Sequence, residues 1–94
     1  MVYVDDAMVS KHGRHWCHLV ADSLEELHKF AAEIGIHPHA FHRQARHPHY
    51  DISTSQRERA IHHGAQSISP RYAIRVVRAM EISIHAPIQQ ELFA

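Results

Sequence analysis

The stretch from Trp16 to Gly35 constrains the fold more tightly than any other part of the chain. Trp16-Cys17-His18-Leu19-Val20-Ala21 is mostly apolar on both alternations, the pattern of a strand covered on two faces. Asp22 and Ser23 follow at once, and Ser23 and Glu26 have the spacing of a capping box. Leu24, Leu27, Ala31 and Ile34 then form one helical stripe, which Gly35 stops. A covered strand that feeds directly into an amphipathic helix calls for a layered α/β domain.

The remaining elements are shorter. Val2-Tyr3-Val4 is a β-type run ended by Asp5-Asp6, and the polar segment with Lys11, His12, Gly13 and Arg14 reads as a loop. Tyr50-Asp51-Ile52 and Gln66-Ser67-Ile68 are short strand candidates. A second helix runs from the Ser53-Thr54-Ser55 cluster to about His63 and is closed by Gly64. Ser69-Pro70 has the chemistry of a helix start, with Tyr72, Val76, Val77 and Met80 as the inner side of a third helix. The loop joining the first two strands is too short for a helical crossover, so that pair is expected to be antiparallel. Two βαβ units follow and are expected to be parallel. The fold class is therefore α/β: a small three- to four-stranded mixed, mainly parallel sheet with about three helices. Residues 1–87 are expected to form a single domain ended by Pro87, with 88–94 as a C-terminal tail.

Composition limits the function classes. With 94 residues, the chain has ten basic and ten acidic side chains that cancel, so no global positive field advertises nucleic-acid binding. Cys17 is the single cysteine, which rules out an internal disulfide and a Cys-rich zinc site; it is expected to pack as a small hydrophobe. No apolar run reaches the length of a membrane span and no signal-peptide pattern is present, so a cytoplasmic location without membrane association is expected. Twelve histidines, scattered from His12 to His85, are the outlier. His12, His37, His39, His62 and His63 read as solvated surface groups.

Two sets of residues carry a family resemblance. One comprises Tyr3-Val4-Asp5-Asp6, the run from Trp16 to Asp22, Leu27-His28, Phe30-Ala31 and Gly35. The other comprises His49-Tyr50-Asp51, Arg57, Ala60 and Gly64-Ala65. Over residues 1–69 the chain resembles an uncharacterised bacterial and phage family, domain of unknown function 4031. The resemblance implies a bacterial or phage setting and no activity, and it leaves out the segment from Pro70 onward.

Several constellations carry chemistry. His18 and Asp22 are four apart on one strand and share a face, while His28 lies near the edge of the first helix's apolar stripe. In His47-Pro48-His49-Tyr50-Asp51, an extended backbone points His47, His49 and Asp51 one way and Tyr50 the other. His18, Asp22, His28, His49 and Asp51 are therefore the candidate metal ligands. Imidazole and carboxylate donors suit a divalent ion such as zinc or manganese. His49, Asp51 and His28 are the candidate catalytic groups, with His49 and Asp51 readable as a base oriented by a carboxylate. The bland alternative is a set of hydrogen-bonded core histidines, with Asp22 as a helix cap.

Ser53, Thr54 and Ser55 at a helix start, with Arg57, make a candidate phosphate site, although ordinary capping with Ser55 and Glu58 as a box accounts for the same residues. Arg71, Arg75 and Arg78 share one helix face, either solvated or turned toward a nucleic-acid backbone. Gln89-Gln90-Glu91-Leu92-Phe93 resembles the peptides by which bacterial proteins dock on the DNA polymerase sliding clamp. Gln89, Leu92 and Phe93 would be the partner-binding residues; otherwise Leu92 and Phe93 pack on their own core or across a homodimer. Three functions follow: a metal-dependent hydrolase of phosphate esters or nucleic acid, a non-catalytic module of DNA metabolism that docks through its tail, and a dimeric structural protein.

Overall fold

The structure, a computed structural model, describes residues 1–43 and 48–80. Pro87, His47 and the clamp-like residues Gln89, Leu92 and Phe93 lie outside the described residues. Among the described residues, six strands form one sheet: β1 (Val2–Val4), β2 (Val9–Lys11), β3 (Arg14–Ala21), β4 (Phe41–His42), β5 (His49–Ser53) and β6 (Gln66–Ser67). The order across it is β4-β5-β3-β1-β6, with β2 also on β3. Helices α1 (Leu24–Glu33), α2 (Thr54–His62) and α3 (residues 70–80) complete the described elements, with a 3₁₀ turn at Pro38–Ala40.

Strand β3, the longest, is the centre of the sheet. Its Cys17, Leu19 and Ala21 enter one core with Val2, Val4, Tyr50 and Ile52, and α1 and α2 cover that core with Leu27, Ala31 and Ala60. Val20 faces the other way into a second core, where α3 packs Ala73, Val76, Val77 and Met80 beside Tyr3 and Ile68. The expectation of a strand covered on two faces is met. Tyr72 departs from the expected inner face: it is 47% exposed, with its ring edge against Tyr3.

Both N-terminal helices begin and end as their local sequence dictates. The Ser23 hydroxyl accepts the Glu26 N–H at 3.2 Å, one half of the expected box. At α2 the full box is Ser53 with Gln56, displacing the expected Ser55–Glu58 pair, because Ser53 is the residue with extended backbone that precedes the first turn. Gly35 and Gly64 take φ of +76° and +107°. Each lets the following N–H bond back into the last turn, Ile36 to Ala31 at 2.8 Å and Ala65 to Ala60 at 2.9 Å.

Two expectations about the sheet need correction. Among the described residues it has six strands, not three or four, because β2 and β4 are two- to three-residue pieces too short to stand out as alternating apolar runs. Residues His12 and Gly13, both with positive φ, turn β2 into β3 as a hairpin. Nor is the sheet mainly parallel. Strands β1, β2 and β5 all run antiparallel to β3, β4 runs antiparallel to β5, and only β1 and β6 pair in parallel. The antiparallel first pair is as expected. The first supposed βαβ unit differs because a long segment, with the 3₁₀ turn and β4, follows α1 before β5 begins, and it returns the chain to the opposite end of the sheet. The second unit keeps its direction: β5 and β6 run the same way, with β3 and β1 between them.

Candidate functional site

The site is built where strand β1 stops. Val4 pairs with Leu19, but pairing resumes at Val9 with Trp16, so the chain opens by two residues between β1 and β2. At the opening, Asp5 N–H still donates to His18 O at 3.0 Å, while the Asp5 carboxylate accepts the His18 backbone N–H at 2.8 Å. A side chain has replaced the ladder carbonyl. The freed Asp5 carbonyl accepts Nε of Arg57 at 2.9 Å, and the same guanidinium donates to Ser67 Oγ at 2.9 Å. Asp5 is 1% exposed, and the Ala7 N–H at 3.3 Å also bonds its carboxylate.

The second Asp5 oxygen lies 2.7 Å from His18 Nδ1. An ionised carboxylate only accepts, so Nδ1 carries the proton and Nε2 is turned outward. The His18–Asp5 hydrogen bond, opposed by burial, holds the imidazole pKa above its ordinary value. For Asp5, burial works upward, but the bonds from the His18 ring and backbone outweigh it and the carboxyl falls below the usual range.

Register brings Asp51 opposite His18, and alternation puts His49 on the same face. Asp51 Oδ1 lies 3.0 Å from His49 Nε2 and 3.9 Å from His18 Nε2, and its Oδ2 lies 2.9 Å from His42 Nε2. The His18 and His49 rings meet edge to face at 4.8 Å, while His42 and His49 stack at 5.1 Å. Each of His18, His49 and Asp51 offers a ligand atom, and these atoms all lie within 4.8 Å of one another. Beside them a cavity of about 240 Å³ opens, floored by His18, His49 and Val20 and walled by Ala73, Ile74 and Val77 of α3.

Three of the five candidate ligands thus come together, and two are placed elsewhere. Asp22 shares a face with His18, but four residues of strand separate them by roughly 13 Å. Its carboxylate takes the Tyr3 hydroxyl at 3.2 Å. His28 is on the α1 side of the sheet, where its Nδ1 shares a 2.7 Å hydrogen bond with the Tyr50 hydroxyl and its ring packs on Phe41. Tyr50 points away from His49 and Asp51, so His28 does too. Of the phosphate candidates, Ser53 caps α2, its Oγ lies 3.2 Å from Ser55 Oγ, Thr54 is exposed, and Arg57 ties Asp5 to β6. Arg71, Arg75 and Arg78 are exposed on α3, while Cys17 is fully buried and burial pushes its thiol pKa up.

Two residues of the site escaped sequence reasoning. Asp5 appeared as the end of a strand and within the family resemblance, without a role in a site; the available signal was a carboxylate directly after an apolar run. His42 sits in a segment with no metal-binding spacing, and only the antiparallel pairing of β4 with β5 places it across from His49.

Among the described residues no helix is long and apolar enough to cross a membrane. No curated protein and no solved structure matches the chain. One family model does, over residues 2–80, and so extends beyond the 1–69 expected to take in α3 and the wall of the cavity. The chain belongs to the family described as Protein of unknown function (DUF4031).

Proposed function

We propose that His18, His49 and Asp51 hold one divalent ion, zinc or manganese, and that the protein is a metal-dependent hydrolase of phosphate esters. The observation that carries this reading is the buried Asp5 carboxylate behind His18. A metal-ligating histidine commonly donates its other ring N–H to a carboxylate, which fixes the ring and makes the ligand more basic. Here that arrangement directs Nε2 toward His49 and Asp51, and it is secured by Arg57 from a separate helix. The donor set, two imidazoles and one carboxylate, suits a hydrolytic ion with room left for water.

A divalent ion at such a site lowers the pKa of water and offsets phosphate charge. Hydrolysis then adds a water oxygen to phosphorus, breaks the ester P–O bond and places a proton on the leaving oxygen. The chain's own groups divide that work. Asp5 holds His18 in one tautomer, and His42, 2.9 Å from Asp51 and 45% exposed, is placed to pass a proton between the centre and solvent. His28, bonded to Tyr50 on the far face, serves the fold in this reading.

Protein purified without a nickel column should carry about one ion per chain by elemental analysis. Asp51→Ala and His49→Ala should lose it. Asp5→Asn should bind the ion roughly 10- to 100-fold more weakly, the usual cost of removing a carboxylate behind a ligating histidine. Wild-type protein that takes up no ion, alone or with added zinc or manganese, would end this reading.

A further inference from the structure

The His18–His49–Asp51 centre lies in a row of side chains that a small phosphate ester does not need. Side chains alternate along a strand, so Arg14, Trp16, His18 and Val20 project from β3 on one face. Pairing sets Val9 and Ser53 on either side of Trp16 and Lys11 beside Arg14. At about 3.3 Å per residue, Trp16 stands roughly 7 Å from His18 along the strand and Arg14 roughly 13 Å.

The Trp16 indole is half-buried, and its N–H donates to the Lys11 carbonyl at 2.9 Å, which fixes the ring against the β2–β3 hairpin. Val9 beside it is 44% exposed. Lys11 and Arg14 are exposed at the tip. On the opposite side of the centre, the cavity presents Val20, Ile74 and Val77. The order along the face is apolar cleft, His–Asp centre, aromatic platform, cationic tip.

That order matches a polymer of bases and phosphates. Unpaired bases stack on aromatic rings and enter apolar clefts, while their backbone follows cationic side chains. A duplex keeps its bases stacked internally and has none to lay on a strand-borne indole. The neutral net charge of the chain is no obstacle, because the hairpin tip concentrates cations on the same face, roughly 13 Å along the strand from the centre.

We infer that the substrate of this site is single-stranded nucleic acid, laid along β3 with a base on Trp16, backbone phosphates at Lys11 and Arg14, and a phosphodiester at His18, His49 and Asp51. The inference rests on the hydrolytic reading of the centre and names its substrate class.

Trp16 is the only tryptophan, so its emission reports stacking directly. Titrating the full chain with a short oligothymidylate should quench that emission saturably. Binding of the same oligomer carrying a fluorescein label should weaken roughly tenfold or more in Trp16→Ala and survive largely intact in Trp16→Phe. Lys11→Ala and Arg14→Ala should each flatten the dependence of log affinity on log salt by about 0.7. Unchanged emission throughout the titration, or equally tight binding of a duplex of the same length, overturns the inference. If the protein holds its ion and hydrolyses p-nitrophenyl phosphate yet ignores the oligomer, the substrate class is wrong and the hydrolytic centre stands. If the oligomer binds and quenches a chain that takes up no metal, the surface stands and the hydrolytic reading falls.

Discussion

At the scale of the residue, Asp5 and His18 act as one unit. Each holds the other's charged form, and this gives the metal-free protein a definite pH response. The His18 pKa is raised above 6.5, so its contribution to stability is complete below that value and is lost as pH rises through the folded-state pKa. The Asp5 pKa is lowered below 3.8, so its contribution is complete above that value and is lost as pH falls through the lower folded-state pKa. The pair therefore stabilises most between about pH 4 and pH 6.5. Melting temperatures of metal-free wild type and His18→Gln should differ most in that window and converge toward pH 9; a gap that stays constant or widens in alkali contradicts the coupling. Metal uptake runs the other way, since the ion needs neutral His18 and its affinity should rise with pH.

At the scale of the element, local chemistry settles most boundaries. The Ser23 start and Gly35 stop of α1 were legible, as was the alternation of β5 that sends His49 and Asp51 to one face and Tyr50 to the other. Ser53→Ala should cost about 0.5–2 kcal/mol in chemical denaturation, because it removes the hydroxyl that accepts the Gln56 N–H. What was not legible is non-local. Strand direction in β5 depends on where the residues after Gly35 take the chain, and no spacing within those residues records it. Asp5 becomes part of the site only because β1 and β2 open opposite His18, thirteen residues away. For Asp22 the face was right and the distance wrong: four residues on a strand separate groups that one helical turn would bring together.

At the scale of the whole molecule, the sheet divides two cores. Among the described residues, the α1–α2 side buries thirteen around Leu19 and Leu27, whereas the α3 side buries five. Leu19→Ala should therefore destabilise the protein by roughly 2–5 kcal/mol, near the limit a chain of this size tolerates. With fewer buried partners among the described residues, the α3 layer should open first, so its amides should exchange hydrogen faster than those of β3 and α1. The candidate centre lies at the margin of that layer, in contact with solvent yet backed by the rigid β3–β5 pair. Such a position allows a ligand to enter without unfolding the core that holds Cys17 and Leu19.

In the proposed centre, the buried Asp5 turns His18 toward an ion shared with His49 and Asp51. Anomalous diffraction at the zinc edge, from crystals loaded with one equivalent of zinc, tests it most directly. One peak is expected, with His18 Nε2 and a His49 ring nitrogen at about 2.0–2.1 Å and an Asp51 oxygen at about 2.0–2.2 Å. A peak on other histidines, with His18 still bonded to Asp5 and no density between it and Asp51, would contradict it.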